Sequence, residues 1–337
     1  MRTLNALVMA ALVSGLTMSV GGADAATAPG YAYVAGKYSL ELGGAQAGFL
    51  WEAGGGAAVA DFQTQQKAAG TYPKKNVSAV HYEDITVAVG AGMTRGFYDW
   101  IKTTLQNPAG AQRRDGAIVA ADYNYKERSR LNFTRAMISN IEFPAADASS
   151  KDAAKIHVSI SPELTRRLDT TAGGKTLAAA DMNASAQKKW VPANFRLKID
   201  GIDPSVTSQV SKIEAINVRF KSVAAAIGER RDFERTPSTV DISNVVLEVT
   251  EQHAAPFIKW HEDFAINGNN RDDKERNGTL EYLAPDLRTV LFTLTFSHLG
   301  IIKAAPAPSV SLSETVRRVR VEMYVEGLGF DYAQTMK

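Results

Sequence analysis

Apolar residues along this chain recur mainly at every second position in short runs, the period of a half-buried β-strand. Ile85, Val87 and Val89 in "DITVAVG" alternate with smaller or polar residues, as do Val245, Leu247 and Val249 in "NVVLEVT". After each run the period changes. Phe97 and Trp100 lie three apart, and so do Phe257 and Trp260, which puts each pair on one face of a helix. The two segments superimpose without a gap at a spacing of 160 residues.

The likeness extends in both directions. Tyr38, Leu40, Leu42 and Gly44 fall over Phe195, Leu197, Ile199 and Gly201 at a spacing of 157. Phe133, Met137 and Ile141 fall over Leu294, His298 and Ile302 at 161, and Ile156, Val158 and Ile160 over Val319, Val321 and Met323 at 163. Ser149 and Asp152 fall over Ser311 and Glu314 at 162, each pair resembling a capping box. Small loop insertions produce such drift. The chain therefore reads as two copies of one domain, 26–165 and 194–337, joined by a small, polar, exposed linker at 166–193. Each copy predicts strand, strand, long loop, strand, helix and three more strands: a mainly β fold with one helix per domain, arranged as two tandem small β-barrels. The helices pack Phe97, Trp100 and Ile101 in one copy and Phe257, Trp260 and Phe264 in the other; Thr94 caps the first and Pro256 begins the second.

Composition adds bounds. With 45% apolar and 22% charged residues the chain is globular, and a net charge of +2 with scattered basic residues predicts no specific nucleic-acid partner. It has no cysteine, which excludes disulfides, thiolate metal sites and thiol nucleophiles. Arg2, the apolar run Leu4 to Met18 and Ala23-Asp24-Ala25 before Ala26 predict a signal peptide over 1–25, cleaved near Ala25/Ala26, and a secreted or periplasmic product. The run is shorter than the roughly 20 residues a spanning helix needs, so no membrane span is expected in the mature chain.

Candidate chemistry is sparse. Among His81, His157, His253, His261 and His298 there is no HExxH pattern, and His261 takes the helical position of Ile101, which suits a core-edge residue. "DFAINGNNRDDKE" is rich in oxygen ligands but lacks EF-hand spacing. No serine stands in a Gly-x-Ser-x-Gly elbow. No catalytic residue, cofactor or metal ligand is predicted, and the chain is expected not to be an enzyme.

"GFYDWIKTTL", "RRDGAIVAADYN" and "RSRLNFTRAMISNIEFPAADASSKDAAKIHVSISPE" closely resemble the tail tube proteins of contractile phages and phage-like injection systems, over roughly Tyr31 to Glu163. The second copy keeps the apolar skeleton without the wording. The resemblance implies a small barrel with a flanking helix, six barrels to a ring, sheets joined around a channel, and rings stacked into a tube. Two barrels per chain would make such a ring from three chains, a pseudo-hexameric trimer that partners itself and other tail-like components. A leader peptide departs from the family pattern. In the family a long loop reaches the neighbouring ring; its counterparts here are Gln63 to Glu83 and Ser222 to Asp241, with Lys67, Tyr72, Lys74, Lys75, Arg230, Arg231 and Arg235 as candidate stacking residues. The alternative reading is a secreted binding module that uses the same barrels as a monomer.

Overall fold

The computed structural model describes residues 36–66, 70, 72–169, 177, 190–226, 233–308 and 316–333. The expected signal peptide, Lys67, Arg230, Arg231 and the Ser311/Glu314 pair lie outside the described residues. In the first half β1 (Lys37–Leu42), β2 (Ala45–Leu50), β3 (Glu52–Gly55), β4 (Ala58–Gln65), β5 (Lys74–Tyr82) and β6 (Ile85–Val89) precede helix α1 (Arg95–Gln106). After it come β7 (Arg114–Ala121), β8 (Glu127–Phe143), β9 (Ala146–Asp147), β10 (Ile156–Ser161) and β11 (Leu164–Asp169). The second half holds β12 (Phe195–Ile199), α2 (Pro204–Thr207), β13 (Val210–Ile213), β14 (Ile216–Ala226), β15 (Phe233–Ile242), β16 (Val245–Thr250), α3 (Ala255–His261), β17 (Arg276–Leu283), β18 (Val290–Pro306) and β19 (Arg318–Tyr332).

The fold is mainly β, and the two halves run the same antiparallel path: β1-β7-β8-β10-β6-β3 in one, β12-β17-β18-β19-β16-β13 in the other. Registers agree as well. Ile156, Val158 and Ile160 face Val89, Val87 and Ile85, while Val319, Val321 and Met323 face Val249, Leu247 and Val245. A close strand approach also recurs. A Cβ on Gly116 would meet the Glu41 carbonyl oxygen at 2.2 Å, and one on Gly278 the Lys198 carbonyl oxygen at 2.8 Å.

The long central strands correspond at 163, two residues from the spacing of 161 read from the pattern. Phe133 faces Gly116 and Phe296 faces Gly278, and the only left-handed residues within β8 and β18, Arg135 (φ 50) and His298 (φ 56), occupy matching places. A slip of two keeps every side chain on its face, so alternation alone cannot detect it.

Gln63 to Glu83 and Ser222 to Asp241 are hairpins instead of loops. β4 pairs β5 from Ala58↔Tyr82 to Gln65↔Lys74, and β14 pairs β15 from Val218↔Ile242 to Ala226↔Phe233. In β4–β5 polar side chains on both faces hid the strands, because a hairpin that stands off the core has no buried face to impose alternation. Within the expected linker, β11 runs to Asp169, Leu177 and Trp190 are buried, and the Trp190 ring stands edge-on to Tyr282 at 4.8 Å. Thr94 holds the N-cap position of α1 without a side-chain hydrogen bond. No helix follows Ser149; its N–H and hydroxyl both donate to Asp147 Oδ1, at 2.8 and 2.6 Å, in a turn.

One hydrophobic core runs through both halves. Tyr98 on α1 stacks edge-on against Phe292 at 5.4 Å and lies 5.2 Å from Tyr332, and Phe143 lies 5.5 Å from Phe330. Tyr282 Oη donates to the Pro144 carbonyl at 2.7 Å.

The β17–β18 turn is tied by Asp286, whose carboxylate accepts from the Thr289 hydroxyl and from the N–H groups of Arg288 and Thr289. The Thr289 hydroxyl foremost, then these N–H groups, hold its pKa down to about 2. Because the folded value is depressed, the turn's stabilisation is fully present above the ordinary carboxylate range and is lost as pH falls through about 2. Titration of the Asp286 carboxyl carbon by NMR should give a midpoint near 2; a midpoint at the ordinary carboxylate value would remove this tie.

Candidate assembly interface

The two halves meet along strand edges. Ile216–Arg219 of β14 pairs antiparallel with Asn140–Phe143 of β8, and Ala146 and Asp147 of β9 pair with Ile213 and Lys212 of β13. Ile141, Phe143, Ile216 and Val218 are fully buried at this seam. These β-branched and aromatic residues fit a strand that is covered on its faces and paired on both edges.

A charged cluster closes the outer end of the seam. Arg135 Nε donates to Glu163 Oε2 at 2.6 Å, and its Nη2 donates to Glu234 Oε1 at 3.0 Å, from β15 of the other half. Arg113 Nε lies 3.3 Å from Glu163 Oε1. Arg113 also donates to the Arg235 carbonyl, and the Arg235 N–H donates to Glu163 Oε1 at 3.4 Å. The hydrogen bond to Glu163 and the charge of that carboxylate hold the Arg135 guanidinium above its ordinary value. On the far side of α1, Lys102 pairs with Asp331, and Tyr332 Oη donates to Asp99 Oδ1 at 2.8 Å.

The matching positions of the second half carry a different set. His298 Nδ1 lies 2.8 Å from Glu275 Oε2, Tyr324 Oη donates to Glu275 Oε1 at 2.5 Å, and ligand atoms of Glu275, His298 and Glu326 lie within 4.8 Å of one another. The imidazole and two carboxylates have the donor types of a divalent-cation site.

Phe97, Trp100 and Ile101 on α1 are fully buried, and Phe257, Trp260 and Phe264 are buried beneath α3 and the turn after it. Trp100 Nε1 donates to the Gln112 carbonyl at 2.8 Å. Each tryptophan lies under an arginine: Arg114 at 6.0 Å from the Trp100 ring centre and Arg276 at 4.2 Å from that of Trp260. Tyr72 is 95% exposed. Lys74 and Lys75 lie on β5, with Lys75 Nζ 4.9 Å above the Phe62 ring, and Arg235 lies on β15 with its backbone in the seam. The structure thus brings Arg235 to the junction between halves and leaves Tyr72 in solvent. Pattern reading missed Arg113, Arg135, Glu163 and Glu234, which contact one another only after β7, β8, β11 and β15 converge. Aligning "RR" at 113–114 with "ER" at 275–276 would have exposed the recurring arginine beside tryptophan.

The chain is thus a β protein whose halves join edge to edge through β8 and β14. Residues 46–164 match the family model of the T4-like virus tail tube protein gp19. Among solved structures the chain is similar to the tube-terminating cap of the anti-feeding prophage, at 18% identity over 45% of this chain and 100% of that one, with a TM-score of 0.38. It is similar to a chain of the sheath–tube complex of the PVC extracellular contractile injection system in its extended state, at 18% identity over 42% and 93%, TM-score 0.36. Hcp1 from Salmonella typhimurium is similar at 14% identity over 42% and 88%, TM-score 0.26. No curated protein matches the chain. Among the described residues no helix is long and apolar enough to cross a membrane.

Proposed function

We propose that this chain is a self-assembling structural protein: a tandem pair of tail-tube units, three chains to a pseudo-hexameric ring, and rings stacked into a hollow tube. One observation carries the reading. The β14–β15 hairpin is seated on β8, whereas the β4–β5 hairpin forms a two-stranded sheet of its own with Phe62 and Val77 each 59% exposed. An isolated two-stranded hairpin is marginal in water, so a second chain that seats β4–β5 would stabilise it. The segments that connect β4 to β5 and β14 to β15, which contain Lys67, Tyr72, Arg230 and Arg231 in the sequence, are assigned to contacts between stacked rings. The apolar run before Ala26 supports export before assembly; the exported protein should begin near Ala26.

Light scattering and negative-stain microscopy of the purified protein at micromolar concentration test the reading. Three chains, or multiples of three with visible rings, are expected. A strictly monomeric protein over that range would overturn it in favour of a monomeric binding module.

A further inference from the structure

The registers put the strands of the two halves in matching places, and the β4–β5 hairpin and the free end of β18 remain without the strand partner that β14–β15 and β8 find in each other. Arg113, Arg135 and Glu163 occupy the places that Glu275, His298 and Glu326 occupy in the second half, by the shared pairings of β7 with β8, β17 with β18, and the strands that follow. The two hairpins match likewise: Gln65↔Lys74 in one has the position of Ala225↔Glu234 in the other. Within one chain, therefore, a basic pair of arginines receives the acidic Glu234. The remaining combination has the charges exchanged. Glu275, His298 and Glu326 form an acidic pocket, and the hairpin residue at the place of Glu234 is Lys74, followed by Lys75.

The apolar surface agrees with the charges. Ile258 holds the place of fully buried Tyr98 and is 39% exposed, and the Ile302–Pro306 end of β18 is exposed or half-buried where the matching end of β8 is covered by β14. Ala58, at the place of fully buried Val218, is exposed on the unseated hairpin. Two apolar faces that a monomer would leave in water thus sit where the intrachain seam buries its own.

Resting on the ring reading, we propose that the Glu275–His298–Glu326 pocket binds Lys74 of a second copy of this chain, as the charge-inverted twin of the Arg113–Arg135–Glu163 site that holds Glu234. Exchanged charges act as an address. A first-half pocket meeting Lys74 would place arginines against lysine, and a second-half pocket meeting Glu234 would gather three carboxylates around one histidine. Both wrong pairings are repulsive, so halves alternate around the ring and a closed ring contains whole chains only.

Full-length variants Lys74→Glu, Glu326→Lys and the double exchange, each with circular dichroism to verify folding, test the proposal by mass photometry at low salt. Each single reversal should weaken assembly about tenfold or more, and the double exchange should restore it, because only the pairing of the two sites is repaired. Wild-type rings that tolerate both single reversals, or a double exchange no better than either single, would overturn the address while leaving the ring reading intact. A wild type that stays monomeric would sink the ring reading itself. The fourth arm adds zinc or a chelator: assembly that follows the metal and ignores Lys74 would make the pocket a cation site and overturn the proposal.

Discussion

Trp100→Ala should lower the unfolding free energy by about 3–5 kcal/mol, the range for truncating a fully buried large aromatic. Its ring is wholly buried between α1 and the sheet, and its Nε1–H donates to the Gln112 carbonyl, so the substitution leaves a cavity and a carbonyl without its donor. Trp260→Ala should cost less than Trp100→Ala, although the ring is nearly as buried. Its Nε1 is buried with no hydrogen-bond partner among the described residues, so removal of the indole also relieves an unsatisfied donor. Trp260→Phe should be milder still, since it keeps much of the ring beneath Arg276 and discards only that donor with the outer ring. Urea unfolding of the three variants decides. Equal losses for Trp100→Ala and Trp260→Ala would show that the two indole nitrogens do not differ in this way.

Val218→Asp should cost about 4 kcal/mol or more, because it puts a carboxylate into a fully buried strand position between Ile141 and Ile242. The same change at Ala58, the matching place on the exposed hairpin, should alter the unfolding of an isolated chain by less than about 0.5 kcal/mol. The pair of measurements separates burial at the seam from strand propensity, since both sites are β positions in the same register. A small loss at Val218 would mean that β14 detaches from β8 at little cost.

The strands and helices at the core were legible because burial writes its period into the sequence. Ile85, Val87 and Val89 alternate where β6 sends one face into the core, and Phe97 with Trp100 marks the buried face of the helix that follows. The hairpins were not legible. Gln63, Thr64, Asn76 and Ser78 carry no alternation, because neither face of β4–β5 is buried in the single chain. The register of the central strands was obscured for a related reason: Phe133 fits over Leu294 as well as over Phe296 when only inward and outward faces are counted. The charged seam was invisible for another. Arg113, Arg135, Glu163 and Glu234 are ordinary surface residues one at a time, and their meaning lies in a meeting of strands far apart in the chain.

The aromatic contacts across the halves set the order in which this protein can mature. Tyr98 and Phe143 complete their surroundings with Phe292, Phe330 and Tyr332, which are synthesised well over 100 residues later. Contacts so distant along the chain close late and slowly, and an N-terminal unit cannot settle before its C-terminal partner arrives. A nascent chain arrested before β19 should therefore remain open and protease-sensitive, and Tyr98 and Phe143 should become protected only once β19 has emerged.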